Sequence, residues 1–248
     1  MNEITTALPP LPEGALAPTT ENSGNWAAGD TTSEGLVLKI GQTKGTFTYF
    51  TFEVGFKSLR HYTTLFNLDE FDSFPIFTTE LVNGQVVERE VGKAQLYFTS
   101  ETEGVFRFDM EGFDIQGFPI HRMGKSTADP RSGNWVADEV SKAGYIIGFF
   151  PSALTTVHWF GNRPSDEPWP GVYPKGQNHT QDWQIGLAKH VRDDEYSVLF
   201  QRVTNSEWNN PMPVKYEPVR NCVMRLTADG IEMVGPDKTE LLQQIAIA

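Results

Sequence analysis

The sequence predicts an all-β protein: two tandem antiparallel meander or barrel-like domains made by internal duplication, behind a flexible N-terminal arm. Three observations carry that prediction. Ser23-Gly24-Asn25-Trp26 recurs 109 residues on as Ser132-Gly133-Asn134-Trp135, and a repeated block of this kind is read before any other structure. Short runs rich in Phe, Val, Thr and Tyr suit a pleated, half-buried surface, and 22 Gly and 16 Pro punctuate the chain. The opening residues, by contrast, show no period that could bury a face.

Residues 1–22 are rich in Pro, Thr, Ala and Glu. Such a segment does not offset its own ordering entropy and is expected to be an arm. The first β domain is placed at 23–124 and the second at 132–235, with residues 236–248 as a C-terminal tail. Without a gap, the 109-residue offset pairs Leu36-Val37-Leu38 with Tyr145-Ile146-Ile147, and Tyr49-Phe50 with His158-Trp159. More loosely, Val91–Ala94 faces Ile185–Ala188, and Arg122 parallels Arg225. Strands are expected over 36–40, 46–54, 60–68 and 76–82. Asn83-Gly84 then marks a two-residue hairpin, because a type I′ turn needs positive φ at both central residues. Ala94, Leu96 and Phe98 face one way while Gln95, Tyr97 and Thr99 face the other, and strands at 105–109 and 118–123 finish the unit. The second copy offers 144–150, 155–160, 183–191, 196–203 and 221–226. Only Lys238 to Ile247 has a helix-compatible composition. About seven strands joined by short loops suggest a meander closing into a small barrel.

The net charge of −12 argues against nucleic acid, whose affinity comes from neutralising phosphates with Lys and Arg, and against an anionic membrane surface. Cys222 is the single cysteine, so no intrachain disulfide or cysteine zinc site forms, and its apolar neighbours suit a small buried hydrophobe. No apolar run is long enough to span a bilayer, and the chain as given shows no signal-peptide pattern.

Residues 23–123 resemble a β-repeat of uncharacterised function, widespread in exported bacterial proteins. The resemblance rests on Gly24-Asn25-Trp26, Ser33-Glu34-Gly35, Tyr49-Phe50-Thr51-Phe52, Val91 to Phe98, Gly104 to Phe108, and Arg122. A degenerate second copy begins at about 132. The opening is also similar to the first strand of calycin barrels, in which a Gly-x-Trp plugs one end and a late Arg packs across the Trp. The resemblance implies a calycin-like barrel and carries no activity.

Candidate sites are weighed against plainer roles. Trp26 and Trp135, with Arg122 and Arg225, read as barrel plugs with cation–π partners. The histidines at 61, 121, 158, 179 and 190 lack the short paired spacings of zinc ligands, and the acidic clusters at 69–72 and 193–195 lack the pattern of a calcium loop. No catalytic motif, cofactor or metal is expected. The long segment 161–183 is the favoured binding feature. Trp169, Tyr173 and Trp183, together with Asn178, His179 and Gln181, combine flat apolar faces with hydrogen-bonding groups, as carbohydrate- and protein-binding surfaces do. Capping of the second barrel is the alternative.

The sequence therefore points to a non-enzymatic structural or binding protein. It would be a surface or particle assembly component, acting outside the cell or on a particle surface, with the arm mediating self-assembly or attachment to a protein partner. A small-ligand carrier using a barrel interior is the alternative, followed by a carbohydrate-active enzyme.

Overall fold

A computed structural model describes residues 8–29, 34–52, 59–83, 85–111, 113, 115–125, 129–137, 143–150, 154–162, 181–204 and 215–245. They form two closed, up-and-down, eight-stranded antiparallel barrels of calycin-like type. The first comprises β1 (Gly24–Ala28), β2 (Gly35–Ile40), β3 (Lys44–Phe52), β4 (Leu59–Asn67), β5 (Phe74–Val82), β6 (Gln85–Phe98), β7 (Glu103–Met110) and β8 (Gln116–Lys125). The second comprises β9 (Gly133–Val136), β10 (Gly144–Phe149), β11 (Thr155–Asn162), β12 (Gln181–Arg192), β13 (Glu195–Thr204), β14 (Lys215–Thr227), β15 (Gly230–Val234) and β16 (Thr239–Gln244). Closure removes the free edges that would otherwise template association.

The hairpin forms at the predicted place: Val82 pairs with Gln85, and Asn83 has φ +51°. The first barrel is filled along its axis by aromatic side chains. Phe47 meets Phe74 and Phe106 edge-on at centroid distances of 5.6 and 5.3 Å, and Tyr49 meets Phe106 at 5.3 Å, a geometry favoured by the ring quadrupole. Ala94, Leu96 and Phe98 share this core, as the alternation requires. Their outward neighbours Gln95 and Tyr97 are buried too. The arm accounts for part of this cover: Gln95 Nε2 donates to the Pro9 carbonyl at 2.7 Å, and Leu16 bridges Phe98.

Hydrogen bonds copy the duplication. Trp26 Nε1 donates to the Asn22 carbonyl at 3.0 Å, and Trp135 Nε1 to the Arg131 carbonyl at 3.1 Å. Ser23 Oγ accepts from Ile40 N at 2.9 Å, and Ser132 Oγ from Phe149 N at 3.0 Å. Gly24 and Gly133 share φ of +143° and +152°, a region open to residues without a Cβ. This is why the repeated motif carries glycine there.

Strand order corrects three correspondences in the sequence alignment and one expectation from composition. Leu36 pairs with Tyr49, whereas Tyr145 pairs with Trp159, so Tyr49-Phe50 corresponds to Trp159-Phe160 and not to His158-Trp159. The cause is one extra residue in the turn: Gly41 N donates to the Lys44 carbonyl, Phe150 N to that of Leu154. A slip of one residue exchanges the two faces of a strand. Val91–Ala94 lies on β6, the sixth strand of its barrel, while Ile185–Ala188 lies on β12, the fourth strand of the other, so these segments are not counterparts.

Arg225 is likewise not the counterpart of Arg122. Arg122 lies opposite Trp26, with its guanidinium 5.0 Å from the ring centroid, and donates to the Glu21 carbonyl. Opposite Trp135 stands Gln244, whose Nε2 donates to the Pro130 carbonyl at 2.7 Å. The second copy keeps the tether to the carbonyl and lacks the cation. Arg225 instead pairs with Glu195 at 3.1 Å. Finally, residues 238–247 carry strand β16, which pairs with both β15 and β9 and so closes the second barrel. Helix-compatible composition there yields to the unpaired ladders that the segment satisfies.

Candidate functional site: the seam between the barrels

Four residues of the predicted binding segment, Trp169, Tyr173, Asn178 and His179, lie outside the described residues. Gln181 and Trp183 lie on strand β12, at 2% and 4% exposure. Both point at the first barrel. Alternation on β12 sends Asp182 and Gln184 toward the interior of their own barrel and leaves Gln181 and Trp183 on its outer face.

Gln181 enters a gap in the first barrel. Strands β4 and β5 are joined in register at Thr63 and Phe77, so His61 and Thr79 stand opposite each other two residues further along. The Gln181 amide lies between them. Its Oε1 accepts from His61 N at 3.4 Å, and its Nε2 donates to the Thr79 carbonyl at 3.0 Å and to Thr78 Oγ1 at 2.7 Å. A side-chain amide from the second barrel thus completes the ladder of the first. On the other side of Thr63, Thr64 Oγ1 donates to the Pro75 carbonyl at 2.7 Å, where proline has no N–H to contribute.

Around this polar insertion is an apolar seam of Phe50, Phe52, Leu59, Ile146, Trp183 and Val203. Trp183 lies 5.4 Å from Phe50 between ring centroids, and its Nε1 donates to the Thr51 carbonyl at 3.3 Å. Asn134 Nδ2 donates to Thr46 Oγ1 at 2.7 Å and Asn162 Nδ2 to Thr79 Oγ1 at 3.1 Å. Two histidines are buried here. Burial, with the nearby charge of Arg60, pushes His61 down to about 3, and burial pushes His158 down to about 4 against the opposing effect of a hydrogen bond that its ring donates to the Ile146 backbone. Both rings are neutral near pH 7, and the Nδ1 of each lacks a hydrogen-bond partner in the described structure.

Two cavities flank the seam. One of about 110 Å³ lies among Trp26, Glu34, Phe50, His158 and Trp183. Glu34 is buried there and accepts hydrogen bonds from Thr51 and Tyr49. The other, of about 610 Å³, lies among Thr48, His61, Thr63, Leu65, Phe160 and Ile245.

The second barrel differs inside from the first. Asp182 and Arg202 form a bidentate pair at 3.0 and 2.6 Å, and Arg220 donates to Gln184 at 3.1 Å. The Arg220 guanidinium also stacks on Trp159 and Phe200 at 5.1 and 4.7 Å. Burial raises the Tyr145 hydroxyl above its usual range. Cys222 is buried, and burial raises its thiol as well, which removes the thiolate character a nucleophile needs.

The remaining described histidines sit in local contacts. His121 contacts Glu103, and His190 contacts the Asp193 carbonyl at 2.7 Å. Asp193, at φ +41°, occupies the β12–β13 turn. Among the described residues, no group of three or more His, Cys, Asp or Glu could hold a metal ion, and no helix is long and apolar enough to cross a membrane.

Comparison with protein-family models, curated proteins and solved structures returns no significant match.

Proposed function

We propose that the chain is a non-enzymatic structural or binding protein, a component of a surface or particle assembly that presents one end of its barrels to a protein partner. The observation that carries this reading is the seam. A side chain buried between two strands of a neighbouring barrel ties the two lobes together, which suits a spacer of fixed shape better than a hinged clamp. Strands β9, β11 and β13 also end at one rim of the second barrel. The sequence between β11 and β12 carries Trp169, Tyr173, Asn178 and His179, proposed here as partner-binding residues. An outward pair of leucines on the wall, Leu187 opposite Leu199, is exposed as well.

The alternative is a small-ligand carrier. The ion pair and the stacked Arg220 inside the second barrel favour it. The aromatic filling of the first barrel weighs against a cup there.

Light scattering separates the two readings. The full chain is compared with a variant lacking residues 1–18, which keeps Asn22 and its bond to Trp26. Assembly requires the full chain to be oligomeric and the truncated one monomeric and still cooperatively folded, with a melting temperature lowered only by the lost Pro9 and Leu16 contacts. Two monomers would remove the arm as the means of self-assembly.

A further inference from the structure

The larger cavity has a composition that the assembly reading does not use. Its floor is the outer face of β3 and β4, where Thr48 and Thr63 stand directly opposite each other. Both threonines line the cavity, and each hydroxyl can both donate and accept. His61 lies beside them at 1% exposure, with an unpartnered Nδ1. Its other nitrogen is 3.4 Å from Thr79 Oγ1. Thr79 Oγ1 already accepts from Asn162 at 3.1 Å and lies 3.4 Å from Gln181 Nε2. The Thr79 proton is therefore directed at His61 Nε2, and the neutral ring carries its own proton on Nδ1, a donor without an acceptor. The walls are apolar: Phe160, Leu65 and Ile245. Among the described lining residues, Glu88 is the one charge.

We infer that this inter-barrel cleft binds an uncharged, hydroxyl-rich ligand of oligosaccharide size. The volume of about 610 Å³ falls in the range of small-molecule sites. Paired hydroxyls and an imidazole N–H complement sugar hydroxyls, and the Phe160 ring complements the C–H face of a pyranose. An anionic ligand finds no counter-charge, since Glu88 repels it and no Lys or Arg stands among the described lining residues. An extended peptide would need a free strand edge, and each barrel is closed. The inference goes beyond the assembly reading and stands whether or not the chain oligomerises.

The test is an amide chemical-shift titration of the full chain with maltotriose, chitotriose and xylotriose, and with trigalacturonic acid as the anionic comparison. At least one neutral trisaccharide should saturably shift the amides of Thr48, Thr63 and Phe160. The double variant Thr48→Val, Thr63→Val should weaken it about tenfold or more while the melting temperature holds. Thr63→Ser keeps the hydroxyl and should retain binding, which separates lost contacts from lost fold. The inference is overturned if none of the neutral sugars saturates by about 20 mM. It is equally overturned if shifts map elsewhere, if the valine variant binds unchanged, or if the anionic sugar binds best.

Discussion

Gln181 shows how much a single amide can decide. It satisfies His61 N and the Thr79 carbonyl at once, and a buried polar group left unpaired costs about 1–3 kcal/mol. Gln181→Leu keeps the volume and removes both bonds, so urea unfolding should show a loss of about 1–3 kcal/mol. Amide exchange at His61 should quicken first. The two seam histidines make a second prediction. Their folded pKa values, about 3 and about 4, lie below the unfolded value of about 6.5. In that window the unfolded chain binds more protons, so stability is fully present above about pH 6.5 and declines as pH falls toward the folded values. Urea midpoints between pH 7.5 and 5 should fall in the native chain and fall less in His158→Gln. Neither role could be read from the sequence. A buried seam glutamine carries no spacing signal, and alternation says which face His61 takes without saying what covers that face.

Elements were legible where local chemistry fixes them. Asn83-Gly84 dictates its turn through positive φ, and the alternation from Ala94 to Phe98 fixes its face. Gly-x-Trp was legible as a barrel plug, down to the cation over Trp26. What failed was correspondence over distance. One added turn residue shifts β11 against β3, and Arg225 matches Arg122 by residue type whereas Gln244 matches it by position. Strand β16 was missed because Glu, Leu and Gln favour a helix weakly, whereas the open ladders of β15 and β9 decide the outcome. The two plugs predict a measurable asymmetry. Arg122→Gln converts the first plug to the chemistry of the second, and thermal unfolding should show a loss of about 0.5–2 kcal/mol, the worth of a cation–π contact.

At the scale of the molecule, sequence repetition gave two domains and said nothing of the contact between them. Repeats encode what each copy does for itself; Gln181 and Trp183 serve the neighbouring copy and so have no echo in the other half. The gap they fill has a consequence for the protein's modularity. The two halves descend from one unit, yet the first takes a side-chain amide from the second where β4 and β5 part beyond the Thr63–Phe77 pair. Expressed alone, residues 129–248 would retain every ladder described here for that barrel. Residues 1–128 would keep their aromatic filling but expose His61 N and the Thr79 carbonyl in a parted wall, a ready acceptor for another chain. Duplication has thus produced a lender and a debtor, and the gene can no longer be divided into two equivalent parts.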